Sequence, residues 1–241
     1  MSSGFRVKSP NDNAVAFFAA QALSGRAAEL TQAKDNVDQA VSAVQAAGDG
    51  LDAISGLVDQ ANSLANSARS TNDPGQRAAF AAQFDEVRGQ IDSLAADASF
   101  GGSNLLGSGS NDQTVALNED GSSSLTIQNT DSTSAGLGLA ASNGFAYDAD
   151  IDAALANTSS ARSTLRTSAE TLGSNSSVLQ TRIDSTQQLT NTLEGAAAGL
   201  TLADLTEESA NRLAVQTQQQ LGINSLSLAA NSQQSVLSLI G

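Results

Sequence analysis

The chain has 241 residues, 40% of them hydrophobic, with 25 acidic against 11 basic side chains and a net charge of −14. It contains no Cys and no His, which removes disulfides, thiolate and imidazole metal sites and the commonest general base. The acidic balance and an aromatic content of 3% leave little to neutralise phosphates or stack on bases, which excludes nucleic acid as a partner class.

The amino terminus, MSSGFRVKSPNDNAVAFF, lacks the basic region, apolar run and small-residue cleavage site of a secretory signal. No window reaches the 18 or so apolar residues of a membrane span, so no membrane insertion is expected, and any export proceeds without a cleaved signal peptide.

A long helix is predicted from about residue 11 to 70. From Leu30 a seven-residue repeat places Leu30, Val37, Val44, Leu51, Val58 and Ala65 at one position and Ala33, Ala40, Ala47, Ile54, Ala61 and Ala68 three residues later. Apolar residues at this period form a continuous seam on one helix face. Leu23, Ala19 and Ala16 extend it upstream, and Ser9-Pro10-Asn11-Asp12 supplies a cap for a start near Asp12. Alanine at alternate seam positions lets a partner helix approach to the short end of the usual range of about 8 to 10 Å. Filling the seam, as in Ala40→Leu, is expected to cost about 1 to 3 kcal/mol. Gly48, Gly50 and Gly56 each lower helix propensity by about 1 kcal/mol relative to Ala, so tertiary packing must hold this helix.

Ser70-Thr71-Asn72-Asp73-Pro74 reads as a turn, a cap and a proline at the first helical position. A second helix over 73–98 follows, with Phe80, Phe84, Val87, Ile91, Leu94 and Ala98 on one face. Ser99-Phe100-Gly101-Gly102 ends it in a sharp reversal. Residues 103–143 are rich in Ser, Thr, Asn and Gly, and 114–117 and 124–127 are β-like runs flanking Asn118-Glu119-Asp120-Gly121, a hairpin signal. Helical pattern resumes over 148–200 with Ile151, Ala154, Thr158, Ala161, Leu165 and Leu172, then Leu179, Ile183, Leu193, Ala197 and Leu200.

A last helix is expected over 202–240, with Ala214, Leu221 and Leu228 on one stripe and Ile223, Leu226, Ala230, Leu237 and Ile240 on another. A helix apolar on two sides needs partners on two sides. From Leu213 to Gly241 no residue is charged, a composition suited to burial in something else. The predicted fold is mainly α: long antiparallel coiled-coil-like helices with a small β-hairpin excursion, a core domain over 1–201 and a terminal helix over 202–241.

Possible chemistry is sparse. Tyr147 with Asp148, Asp150 and Asp152, and the pair Glu207 and Glu208, read as helix-start acids that suit the helix dipole. Residues 118–121 are too short for a calcium loop, and Gly101-Gly102-Ser103-Asn104 lacks the strand and the Lys-Ser/Thr that a phosphate cradle needs. No nucleophile with a base is present, and no catalytic residue, metal site or cofactor is expected.

Both ends of the sequence match a known pattern. Ser2-Ser3-Gly4-Phe5-Arg6-Val7-Lys8-Ser9-Pro10-Asn11-Asp12-Asn13-Ala14 resembles the segment by which bacterial flagellin enters its core domain. Ser99-Phe100-Gly101-Gly102-Ser103-Asn104-Leu105-Leu106 resembles the family's Phe-Asn-Gly-x-x-Leu-Leu turn, and Gln218 to Gly222 through Ser235 to Ile240 is similar to the flagellin terminal helix in its α-proteobacterial spelling. The resemblance implies an extracellular filament subunit for motility, assembling with other flagellin subunits and meeting an export chaperone and the filament cap and junction proteins. It implies an assembly and chaperone interface at Leu221, Ile223, Leu226, Leu228, Val236, Leu237, Leu239 and Ile240, while the heptad repeat itself marks the core seam at Leu30, Val37, Val44, Leu51, Ile54 and Val58.

Two departures stand out. The family has one further helix before Ser2-Ser3-Gly4, whereas this sequence starts at Met1; a protein short of that helix is expected not to polymerise alone and to have a mobile tail. In Gln60 to Ser67 only Leu64 matches the Arg-x-Arg-Glu-Leu pattern by which an animal innate receptor detects family members, which implies weak detection. A hook-filament junction protein shares the same ancestry, and a chemoreceptor-like signalling hairpin is the alternative from another class; the latter requires helix throughout and membrane spans.

Overall fold

The computed structural model describes residues 5–202 and 205–240, with side chains described except at 205, 207, 208 and 232–240. Four long helices, α1 (Pro10–Arg69), α2 (Pro74–Asp97), α3 (Asp148–Thr201) and α4 (Leu205–Ile240), are interrupted between α2 and α3 by two small hairpins. The hairpins pair β1 (Ser99–Phe100) with β2 (Ser103–Asn104) and β3 (Gln113–Ala116) with β4 (Ser124–Ile127), both antiparallel. The protein divides into two compact units, 26–191 and the two ends 1–25 with 192–241. This division cuts through α1 and α3.

In the unit 26–191, every seam residue of α1 is buried, with Ala40, Ala47, Ile54, Val58, Ala61, Ala65 and Ala68 wholly inaccessible. α3 runs antiparallel to α1: Asn62 Nδ2 donates to Thr158 Oγ1 at 2.7 Å, Arg162 pairs with Asp59, and Arg69 pairs with Asp148. Thr158 is fully buried, and its hydroxyl donates to the Leu155 carbonyl, so a polar residue on the seam is satisfied from both sides.

α2 starts as the sequence suggests, with the Asp73 side chain accepting from Gly75 N and Pro74 at the first position. Its buried face is Ala81, Phe84, Val87, Ile91 and Ala95, one residue around the helix from an axis through Phe80 and Leu94, which are half-buried. Phe84 and Ile91 are wholly inaccessible, and Ala81 and Ala95 flank them on the same face. Upstream of Leu30 a similar correction applies. Ala16, Ala20 and Ala27 are buried and Ala19 is exposed, since a straight helix of 3.6 residues per turn drifts away from a strict heptad. The helix cap also moves by one: Asn13 is extended (φ −162°) and its Oδ1 accepts from Ala16 N at 3.0 Å. Asp12 instead accepts from Lys8 N and Ser9 N.

The reversal after α2 is a two-residue hairpin with Gly101 and Gly102 at φ +58° and +84°, the double left-handed pattern of a type I′ turn. Asn104 then serves two segments at once. Its amide donates to the last carbonyls of α2, Ala95 at 2.8 Å and Ala96 at 3.0 Å, while its Oδ1 accepts from Leu106 N and Gly107 N. Helix-end carbonyls are thereby satisfied, and Leu105 and Leu106 are delivered into the core.

β3 and β4 pair Val115 with Leu125 and Thr114 with Thr126. Val115 and Ile127 are buried while Thr114 and Thr126 face out, the alternation of a half-buried ribbon. The Asp-Gly loop is as anticipated, with the first strand displaced by one residue, so that Leu117 is buried just past its end and donates N–H to the Ser123 carbonyl. Leu137, Leu139 and Phe145 complete the same core, Phe145 packing edge-on to Phe84 at 5.4 Å between ring centres.

In the other unit, Arg6 N and Val7 N both donate to the Thr201 carbonyl, and Phe5 bridges to Leu202. The motif residues Ser2, Ser3 and Gly4 lie outside the described residues.

Candidate assembly face

α4 spans Leu205–Ile240, a segment with no proline and rich in Ala, Leu and Gln, whose helix propensity outweighs the single glycine Gly222. A helix advances about 100° per residue, which puts Ala214, Leu221 and Leu228 along one side and Ile223, Leu226 and Ala230 along the opposite one. From Ser209 to Asn231 every side chain is exposed. Leu221 is 60% exposed, Ile223 62%, and Leu226 and Leu228 73% each. Val236, Leu237, Leu239 and Ile240 belong to α4, but their side chains lie outside those described, as do those of Glu207 and Glu208.

Uncovered apolar side chains also occur at the start of α1, where Val15 and Phe18 are exposed. Nearby, Phe5, Val7, Phe17, Ala20 and Ala197 line a largely apolar groove of about 640 Å³. Large exposed apolar side chains therefore gather in the unit made of the two termini. By contrast, Leu30, Val37, Val44, Leu51, Ile54 and Val58 are all buried.

The acidic positions have structural employment. Asp148 accepts from Arg77 at 2.7 Å and pairs with Arg69, which also reaches Asp152 at 3.1 Å. The guanidinium groups of Arg69 and Arg77 hold the Asp148 carboxyl below the usual carboxylate range. Asp150 accepts from Tyr147 N at the helix start. Glu119 pairs with Arg26 at 2.7 Å, and Asp120 Oδ1 accepts from Ser122 N. Among the described residues no group of three His, Cys, Asp or Glu side chains is placed to hold a metal ion, and no helix is long and apolar enough to cross a membrane.

Sequence reading missed a second set of carboxylates on α2. Asp85 accepts from both the N–H and the hydroxyl of Ser142, at 3.1 and 2.7 Å, and Asp92 from both groups of Ser134, at 2.7 and 3.0 Å. Arg88 between them pairs with Asp85 and donates Nε–H to the Leu139 carbonyl at 2.8 Å. These three residues, on one face of α2, clasp the strap 131–145 over the core. The available signal was the spacing of Asp85, Arg88 and Asp92 at i, i+3 and i+7, which has no meaning until the strap lies beside it.

Long packed helices, small hairpins and an apolar helix with its stripes uncovered define a structural protein of the self-assembling helical class. The amino-terminal part, residues 1–112, matches the bacterial flagellin N-terminal helical region, and residues 149–240 match the bacterial flagellin C-terminal helical region. Flagellin FljK of Caulobacter vibrioides is 29% identical over 240 residues, covering 99% of this protein and 88% of that one. Flagellin FljN of the same organism is 30% identical with the same coverage. The crystal structure of Bacillus cereus flagellin is similar in fold, with a TM-score of 0.56 at 18% identity over 63% of this protein and 88% of that one. The chain belongs to the bacterial flagellin family.

Proposed function

We propose that this flagellin is a structural subunit of the bacterial flagellar filament whose α4 stripes are its contacts with neighbouring subunits. Membership of a structural family supplies the filament role; the single observation that favours α4 as the contact is the exposure of Leu221, Ile223, Leu226 and Leu228 on a stretch without charge. Burying one leucine side chain is worth about 1.5 to 3 kcal/mol, so a row of them contributes to association against the cost of joining subunits. The same stripes in an unassembled subunit are an aggregation hazard, which favours a dedicated export chaperone covering roughly 213–240 before assembly. Export without a cleaved signal, and contacts with filament cap and junction proteins, complete this reading.

Leu226→Asp in the full-length protein, expressed in its own bacterium, tests the assembly face. The variant is expected to keep its helical circular dichroism and to be lost from isolated filaments. Incorporation at the wild-type level would remove α4 from the interface. Chaperone capture is tested by pull-down with the full-length protein and with one shortened at Leu213; equal capture by both would place the chaperone elsewhere.

A further inference from the structure

The strap clasped by α2 contains a reactive dipeptide. Asn143-Gly144 is the one place in the sequence where glycine follows asparagine. An asparagine amide next to glycine is prone to cyclise, because no side group on the following residue shields its backbone nitrogen. The Gly144 nitrogen attacks Cγ of Asn143, a new bond forms between them, and the bond from Cγ to the amide nitrogen Nδ2 breaks. Ammonia leaves with the proton from the Gly144 N–H. Water then opens the five-membered imide at either carbonyl to leave aspartate or isoaspartate.

The fold pins this dipeptide at both ends and ties down the nitrogen that would attack. Asn143, Gly144 and Phe145 have φ of +51°, +70° and +50°, a left-handed turn closed by Phe145 N donating to the Ser142 carbonyl at 2.9 Å. Bulky residues adopt such angles only when the surroundings impose them. Phe145 is wholly buried against Phe84, which fixes one end. The other end is fixed by Ser142, 2% exposed, whose hydroxyl accepts from Gly144 N at 3.2 Å while donating to Asp85 at 2.7 Å. The nucleophilic nitrogen is thus tied down by its own N–H. Asn143 itself is exposed, so water reaches the dipeptide as soon as the turn opens.

We propose that Asn143-Gly144 is a deamidation site gated by the Asp85–Ser142 clasp: it is protected while the strap is docked on α2 and becomes open to irreversible modification whenever the strap lifts. Modification also prevents redocking. Isoaspartate adds a methylene to the backbone of the left-handed turn, and aspartate sets a new negative charge two residues from Phe145, on a strap already held by the Asp85 carboxylate. An aged subunit therefore carries a permanent record of local opening of this strap.

The test is peptide mapping by mass spectrometry of the full-length protein held at mildly alkaline pH. Folded protein is expected to retain Asn143 where urea-unfolded protein loses it. Ser142→Ala, which removes the tie on Gly144 N, is expected to deamidate about tenfold faster at Asn143 with helical circular dichroism unchanged, the scale set by one buried hydrogen bond in a local opening. Equal rates in folded and unfolded wild type would overturn the gate, as would a folded Ser142→Ala variant no faster than wild type. Should that variant unfold, amide hydrogen exchange at Gly144 of the wild type decides: protection supports the gate, and exchange at the free-peptide rate overturns it.

Discussion

Asp92 of α2 accepts both the backbone N–H and the hydroxyl of Ser134, at 2.7 and 3.0 Å, across 42 residues of sequence. Seven residues earlier on the same helix Asp85 does the same for Ser142. Ser134 and Ser142 are buried, so their donors have no access to water and depend on these carboxylates.

Removing one clasp leaves two buried donors unpaired. Asp92→Ala is expected to destabilise the fold by about 1.5 to 3 kcal/mol, the cost of losing hydrogen bonds to a charged group. Asp97→Ala, at an exposed position on the same helix, is expected to stay within about 0.5 kcal/mol of wild type. Urea unfolding of the two variants measures the contrast, and equal midpoints would show that the clasp holds nothing.

Two glycines of α1 should respond in opposite senses to alanine. A Cβ at Gly50 would lie 2.8 Å from Ala98 Cβ and 2.8 Å from Leu106 Cδ1. Leu106 is fully buried and cannot swing away, so Gly50→Ala is expected to cost about 1 to 3 kcal/mol of overpacking. An added Cβ at Gly56 meets nothing within 4 Å, and Gly56→Ala is expected to stabilise by up to about 1 kcal/mol. Thermal unfolding of both distinguishes contact from propensity; a stabilising Gly50→Ala would mean that α1 does not need this close approach.

Acid should release the corner where α1, α2 and α3 meet. Asp148 is held below its ordinary range by hydrogen bonds first from Arg69 and then from Arg77. A carboxyl depressed in the folded state stabilises it above the unfolded value, near about 3.9, and that contribution disappears as pH falls through the lower folded value. The stability gap between wild type and Asp148→Asn is therefore expected to be present at neutral pH and to close under strong acid. Denaturation midpoints measured from pH 7 downward check this, and a gap independent of pH would assign it to something other than ionisation.

Detection by the animal innate receptor is expected to be weak. Of the recognition pattern only Leu64 is present in Gln60 to Ser67, and Asn62 within it is committed to Thr158 of α3. A reporter-cell assay with purified protein measures the response, and a potent signal would contradict the expectation.

The long helices were legible because their signal is local. The heptad from Leu30 to Ala68 repeats often enough to fix both the helix and its buried face, and all twelve positions are inaccessible or nearly so. Asp73-Pro74 and Asp120-Gly121 likewise carry their turn chemistry within a few residues. Legibility declined where neighbours choose between adjacent residues. Ala81 and Ala95 lie deeper than Phe80 and Leu94, and Ala20 replaces Ala19, because the packed neighbours set which side of the apolar stripe is covered and helix drift moves the face.

The sequence by itself determined a mainly helical protein, the seam that packs it, the small hairpin between its halves and a two-faced last helix without charge from Leu213 on, since periodicity and charge are properties of residues near one another along the backbone. Only the tertiary structure decided that Asp85, Arg88 and Asp92 clasp a strap about 50 residues away, that Asn104 ties off α2, and that Phe145 sits in a left-handed turn. Hydrogen-bonding groups have no periodicity to announce their partners, and a strained angle persists only through the packing around it.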